Sequence, residues 1–192
     1  MHWRIGDWEE VEETVKALKL ALQDAQQNQP DSPVHVLLEN VMKTDPSQWL
    51  PTGASAAVIQ QVAINGHRVA ALGQATTAAG TVPFAELSVN GGTNWQQVPF
   101  SSPGPDTDFT ALTADSAGFS AAGLFGSTGD QNVAVWTSAA GTSWKPSQAG
   151  DLNGAGSWEI TALAPSGSTV AGVGSVATQQ SQQTVTLTLP AR

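Results

Sequence analysis

The chain has 192 residues, only 12% of them charged, and a formal net charge of −9. Its seven Lys and Arg residues form no cluster, which argues against nucleic-acid binding and against contact with anionic membranes, since both need several cations on one face. The absence of cysteine excludes a disulfide framework, and no apolar run approaches the roughly 20 residues that a membrane-inserted helix requires.

The first 30 residues carry a helical pattern. Asp7 is suited to cap a helix, and the apolar residues that follow recur at spacings of three and four, which places them on one face: Trp8, Val11, Val15, Leu18 and Leu22. The sequence therefore predicts an amphipathic helix over residues 7–29, within an N-terminal segment of residues 1–33. This face either packs on its own domain or docks on another chain, so its five residues are candidate partner contacts.

From Val34 onward, short β-rich runs alternate with turns of Gly, Ser, Pro and Asn. A half unit at residues 34–51, which contains Trp49, precedes three full units. The glycines that close the second strand of each full unit, Gly73, Gly123 and Gly174, are 50 and 51 residues apart. A period near 50 residues with several short strands is typical of β-propeller blades.

Each full unit contains a hairpin and a third strand, predicted at residues 84–89, 133–138 and 184–189. The small residues that end each second strand are expected to lie near a crowded central axis. The predicted fold is mainly β: about three and a half antiparallel propeller blades over residues 34–192, preceded by one N-terminal amphipathic helix. No fourth strand is predicted for the last unit.

The turn after the third strand carries the most specific motif, in two copies. The first copy, Ser-Val-Asn-Gly-Gly-Thr-Asn-Trp, contains Ser88, Asn90, Gly92 and Trp95, and the second, Ser-Ala-Ala-Gly-Thr-Ser-Trp, contains Ser138, Gly141 and Trp144. Both resemble the Asp-box, Ser-x-Asp-x-Gly-x-Thr-Trp. The chain thus resembles the Asp-box (BNR-like) β-propeller repeat proteins, including actinobacterial ones, over about residues 34–190.

The resemblance implies structural roles for these residues and for Trp49. In the motif, Ser and Asp bond backbone N–H groups, Gly permits positive φ, and Trp packs under the hairpin. Asn90 replaces the family's Asp and can still accept those bonds. Ala140 occupies that place in the second copy and cannot, so the second turn is predicted to be looser.

Catalytic and metal-binding patterns are missing from the sequence. There is no Tyr, which a sialidase uses as its nucleophile, and three scattered His without Cys do not form a zinc-binding pattern. Nearly all of the carboxylates of residues 34–192 fall in predicted turns rather than in the facing pair that a glycosidase needs. We therefore expect no catalytic residue, no metal and no cofactor.

Two apolar residues are further candidates for partner contact. Phe125 follows a closing glycine, and Trp136 lies on a third strand where alternation with Val133 and Val135 could turn it toward solvent. The alternative for both is core packing between blades.

These observations predict a non-enzymatic interaction or assembly module. Closed propellers typically have four to eight blades, so a second chain or a second copy is expected to complete the ring, with the N-terminal helix docking at the junction. The alternative is that this helix caps the open edge of a monomeric partial propeller. A carbohydrate-binding propeller is the alternative, and a glycosidase-like enzyme is less favoured. The Ala-, Thr- and Gly-rich composition resembles that of secreted or surface proteins of actinobacteria, so an extracellular or cell-surface location is expected, although the chain shows no signal peptide.

Overall fold

The computed structural model describes residues 3–5, 50–101, 107–127, 130–147 and 156–189. These residues form antiparallel β-sheets and contain no helix, so the prediction of a mainly β fold is confirmed for them. The helix predicted over residues 7–29, with its candidate contacts Trp8, Val11, Val15, Leu18 and Leu22, lies outside the described residues, as does Trp49.

The strands form three sheets, and within each sheet they follow one another in chain order. The first sheet contains β1 (Trp3–Ile5), β2 (Ala54–Asn65), β3 (Arg68–Thr77), β4 (Gly80–Ser88) and β5 (Gln96–Val98). The second contains β6 (Asp108–Asp115), β7 (Gly118–Ser127), β8 (Asp130–Ser138) and β9 (Lys145–Ser147). The third contains β10 (Ser157–Ser166), β11 (Thr169–Ala177) and β12 (Gln182–Leu189).

Strand β1 was not expected from the sequence. It pairs antiparallel with β2, with Arg4 opposite Val58, and extends the first sheet to five strands. Three residues are too few to show an alternating pattern, so only the tertiary arrangement reveals this pairing.

The closing glycines are explained by a bulge that recurs in each long hairpin. The register of the first strand shifts just after Ile59, Phe109 and Ile160, which lie opposite Gly73, Gly123 and Gly174 respectively. A Cβ at Gly73 would lie 1.9 Å from the Val58 carbonyl oxygen, and one at Gly174 would lie 1.8 Å from that of Glu159. The requirement for glycine therefore comes from the backbone of the neighbouring strand, not from crowding at an axis.

The three sheets pack in succession, face to face. Strand β6 contacts both β2 and β10, the first strands of the neighbouring sheets. One hydrophobic core joins the first and second sheets around Leu72, Phe119 and Trp136, and another joins the second and third sheets around Ala122 and Leu187. The arrangement is propeller-like, with each sheet in the position of a blade.

Amide side chains add polar contacts between the first two sheets. Gln60 donates a hydrogen bond to Asp108 and accepts one from the backbone N–H of Phe109 at 3.0 Å. Gln74 donates to the carbonyl oxygen of Thr107 at 2.9 Å, and Asn65 donates to that of Asp115 at 2.8 Å. These bonds tie the starts and ends of the long strands together across the sheet boundary. The described part of the chain contains no helix that could cross a membrane.

Candidate interaction surface

The first predicted turn motif is closed by side-chain hydrogen bonds. Ser88 Oγ donates to Asn90 Oδ1 at 2.9 Å and accepts the N–H of Gly92 at 2.8 Å. Asn90 Oδ1 also accepts the N–H of Asn94 at 3.0 Å, and Trp95 Nε1 donates to the Gly92 carbonyl oxygen at 2.9 Å. The turn is therefore held by its own side chains, which leaves these groups engaged within the fold.

The second turn lacks this network. Ser138 Oγ is buried and has no hydrogen-bond partner, because Ala140 offers no side-chain oxygen. Trp144 is buried against Phe119, and its Nε1 also lacks a partner. Gly141 has a φ of 78°, and a Cβ there would meet Leu87 at 2.6 Å. Packing, rather than a side-chain hydrogen-bond network like that of the first turn, holds this turn.

Trp136 is not a partner contact. It is fully buried, lies 5.1 Å from Phe100 and 5.6 Å from Phe109 between ring centroids, and donates its Nε1–H to the Ser101 carbonyl oxygen at 2.7 Å. Alternation along β8 does turn Trp136 away from Val135, but both faces of the second sheet are covered by neighbouring sheets. Alternation along β8 therefore places Trp136 in the core between the first and second sheets, and Val135 in the core between the second and third sheets.

Among the described residues, Phe125 and the other tryptophans form no broad exposed aromatic platform. Phe125, Trp95 and Trp158 are each half-buried, and Trp144 is buried. A shallow cleft of about 350 Å³ lies against the first sheet. No titratable side chain lines this cleft, whose walls are Pro83, Phe84, Gln97, Val98, Pro99 and Phe100.

The described carboxylates do not gather into a metal site. Asp108 is engaged with Gln60, and Glu159 is exposed on β10. Glu86 is buried on β4, and its Oε2 has no hydrogen-bond partner. Burial raises the pKa of Glu86 from its ordinary value of 4.5 to about 7, since a charged carboxylate is poorly solvated there.

The outer face of the third sheet differs from the corresponding faces of the first and second sheets, which pack against the next sheet. Equivalent positions on the second strands of the three sheets are occupied by Leu72, Ala122 and Val173. Leu72 and Ala122 are fully buried by the next sheet, whereas Val173 is 41% exposed. The outer face of the third sheet is thus open at the place where the other two sheets are covered.

This end face consists of exposed residues that share one side of the third sheet. The strand registers place Ala162 beside Val173, and Val173 beside Thr186. Its side chains are small and carry one charge, that of Glu159. The end face is formed by Glu159, Ala162, Ala164, Ala171, Val173, Thr184, Thr186 and Thr188.

The third sheet also has an open edge. In the first sheet, β5 covers β4 opposite Ala85–Leu87, and in the second, β9 covers β8 opposite Val135–Thr137. Among the described residues, no strand covers the outer edge of β12. The third sheet therefore combines an open face with an open edge. The sequence indicated the open edge, since no fourth strand is predicted for the last unit, but it did not indicate the open face.

Comparison with known proteins gives only distant structural similarity. No family model matches the chain, and no curated protein matches it. Among solved structures, a phage phi92 endosialidase matches 71% of the chain at 11% identity with a TM-score of 0.46. The Bombyx mori GH32 beta-fructofuranosidase matches 65% at 17% identity, and a glycosyl hydrolase from Bacteroides ovatus matches 66% at 11% identity, each with a TM-score of 0.38.

The chain spans only part of these structures: 27% of the endosialidase, 32% of the beta-fructofuranosidase and 48% of the Bacteroides ovatus protein. The activities named for those proteins are therefore theirs and are not assigned to this chain.

Proposed function

We propose that the chain is a non-enzymatic interaction or assembly module built on β-propeller blades of the Asp-box type, and that a second chain or a second copy completes it. One observation carries this proposal: Val173 is 41% exposed, whereas its equivalents Leu72 and Ala122 are fully buried by a following sheet. The outer face of the third sheet has the same architecture as the two covered faces but remains open, so it is suited to bind another polypeptide.

The end face has the composition of a docking surface rather than of a reactive site. Its side chains are Ala, Val and Thr with one carboxylate, so it offers neither a nucleophile with an activating base nor a facing carboxylate pair. Small side chains allow a second sheet to approach to about 10 Å, the usual distance between packed sheets. We place this role outside the cell or on its surface, in line with the uncharged polar composition.

Site-specific photocrosslinking in the cells that encode the protein tests the proposal. A photoreactive residue replaces Val173 on the end face, and a matched variant carries it at Val89, which is 59% exposed on a turn of the first sheet. We expect a covalent adduct with another polypeptide at position 173 and none at position 89. Absence of an adduct at both positions, with the protein expressed and folded, overturns the proposal. Specific binding on a glycan array would favour the carbohydrate-binding alternative instead.

A further inference from the structure

Within the described part of the chain, no strand covers the outer edge of β12. Its sequence, Gln-Gln-Thr-Val-Thr-Leu-Thr-Leu, contains no charged residue and no proline. Its pairing with β11 runs over eight residue pairs without a bulge. Natural sheets protect free edges with lysine, proline, bulges or covering segments, because a regular uncharged edge pairs readily with another strand.

The first and second sheets show how an added strand pairs with the edge that corresponds to β12. Strands β5 and β9 are each three residues long and antiparallel to the strand they cover. Their central residues, Gln97 and Pro146, lie opposite Glu86 and Trp136. The equivalent position on β12 is Leu187, because Glu86, Trp136 and Leu187 all lie opposite equivalent residues of the second strand. An incoming strand is therefore expected opposite Thr186, Leu187 and Thr188.

A second copy of the chain satisfies these requirements with its own β12. Two strands related by a two-fold axis perpendicular to the sheet are antiparallel, as β5 and β9 are to their neighbours. Head-to-tail stacking is disfavoured, because much of the face of the first sheet that would receive the end face is already buried within one chain. On that face Ala71 is fully buried, and Ala75 and Phe84 are 1% and 2% exposed.

The charge on the end face does not oppose pairing at this edge. The only charge on the end face, Glu159, lies on β10, at the opposite side of the third sheet from β12. In a joined sheet ordered β10-β11-β12-β12-β11-β10, the two Glu159 residues are separated by at least five strand spacings, or about 24 Å. That distance exceeds two Debye lengths at physiological ionic strength, so the two carboxylates do not oppose association.

We propose that β12 pairs antiparallel with β12 of a second copy, centred on Leu187, to form a continuous six-stranded sheet. Thr186 then lies opposite Thr188 of the partner subunit, and Thr188 opposite the partner subunit's Thr186, as cross-strand threonine pairs that stabilise antiparallel sheets. The pairing uses the edge and leaves the end face free for the partner of the proposed function, so the two proposals can fail separately.

Charge exchange at the threonine pairs tests the pairing. Light scattering on the unmodified protein at micromolar and higher concentration should give twice the mass of one chain. The double variants Thr186→Asp/Thr188→Asp and Thr186→Lys/Thr188→Lys should each give the mass of one chain, because like charges meet across the axis. An equimolar mixture of the two should restore the doubled mass. The matched control, Gln96→Asp/Gln97→Asp on the exposed part of β5, should leave the mass doubled.

Cysteine cross-linking keeps the proposal testable if the charged variants do not fold. The chain has no cysteine, so a Thr186→Cys variant mixed with a Thr188→Cys variant should oxidise to a covalent dimer far faster than either variant alone. A single-chain mass for the unmodified protein, or a dimer that neither the charge exchange nor the mixed cysteines affect, overturns the β12 pairing. An adduct at position 173 in the photocrosslinking experiment would still support the proposed function in that case.

Discussion

Replacing Glu86 by Gln should remove a pH-dependent loss of stability. Glu86 lies buried on β4 among the apolar side chains of the first sheet, and its Oε2 finds no hydrogen-bond donor. Burial raises the pKa of this carboxyl from 4.5 to about 7. The folded chain therefore keeps a proton on Glu86 between these two pH values, whereas the unfolded chain releases it.

The sign and size of the effect follow from proton linkage. Because the folded state binds the extra proton, the contribution of Glu86 to the free energy of unfolding is greatest below pH 4.5, falls as the pH rises, and levels off above about pH 7. Each pH unit in this window changes the free energy of unfolding by about 1.4 kcal/mol. The total loss is roughly 3 kcal/mol, and Glu86→Gln, which is neutral at every pH, should avoid it.

Urea unfolding followed by tryptophan fluorescence measures this directly, at several pH values from 5 to 8.5. The two proteins should be of similar stability at the acidic end, and the Glu86→Gln variant should be more stable by up to roughly 3 kcal/mol at the alkaline end. Glu159→Gln, at an exposed carboxylate on β10, is the control and should follow the unmodified protein throughout. Parallel curves for Glu86→Gln and the unmodified protein over the whole range would refute the reasoning.

Three further substitutions test the turns and the bulges by urea unfolding. Ser88→Ala should lower the free energy of unfolding by about 2 kcal/mol, because it leaves the buried N–H of Gly92 without its acceptor. Ser138→Ala should be nearly neutral, because the buried hydroxyl of Ser138 has no hydrogen-bond partner to lose. Equal losses of stability in the two variants would contradict this reasoning. Trp144→Ala should lower the free energy of unfolding by about 3–5 kcal/mol, and by more than Trp95→Ala does, since Trp144 is buried and Trp95 only half-buried. The reverse order would show that Trp144 contributes little to core packing. Gly73→Ala should cost more than about 2 kcal/mol, because its Cβ would overlap the Val58 carbonyl oxygen, and an unchanged unfolding midpoint would rule out the bulge as the reason for glycine.

Local chemistry explains what could be predicted from the sequence alone. Alternating apolar residues and turn residues predict strands wherever the pattern is long, and the spacing of Gly73, Gly123 and Gly174 predicts three similar units, which the structure shows as three antiparallel sheets. The contrast between Asn90 and Ala140 is equally local, since hydrogen bonds within a turn depend on side chains only a few residues apart.

Only the tertiary structure decides which sheet faces are covered. Alternation along β8 separates Trp136 from Val135 but cannot tell that both sides of the second sheet are buried. The same alternation along β11 leaves Val173 in solvent, although its position in the repeat matches that of buried Leu72 and Ala122. Periodicity determines which residues share a face, because successive side chains of a strand point to opposite sides. Whether that face meets a neighbouring sheet or water depends on how the sheets stack. The stacking is determined by contacts between residues that are distant in the chain.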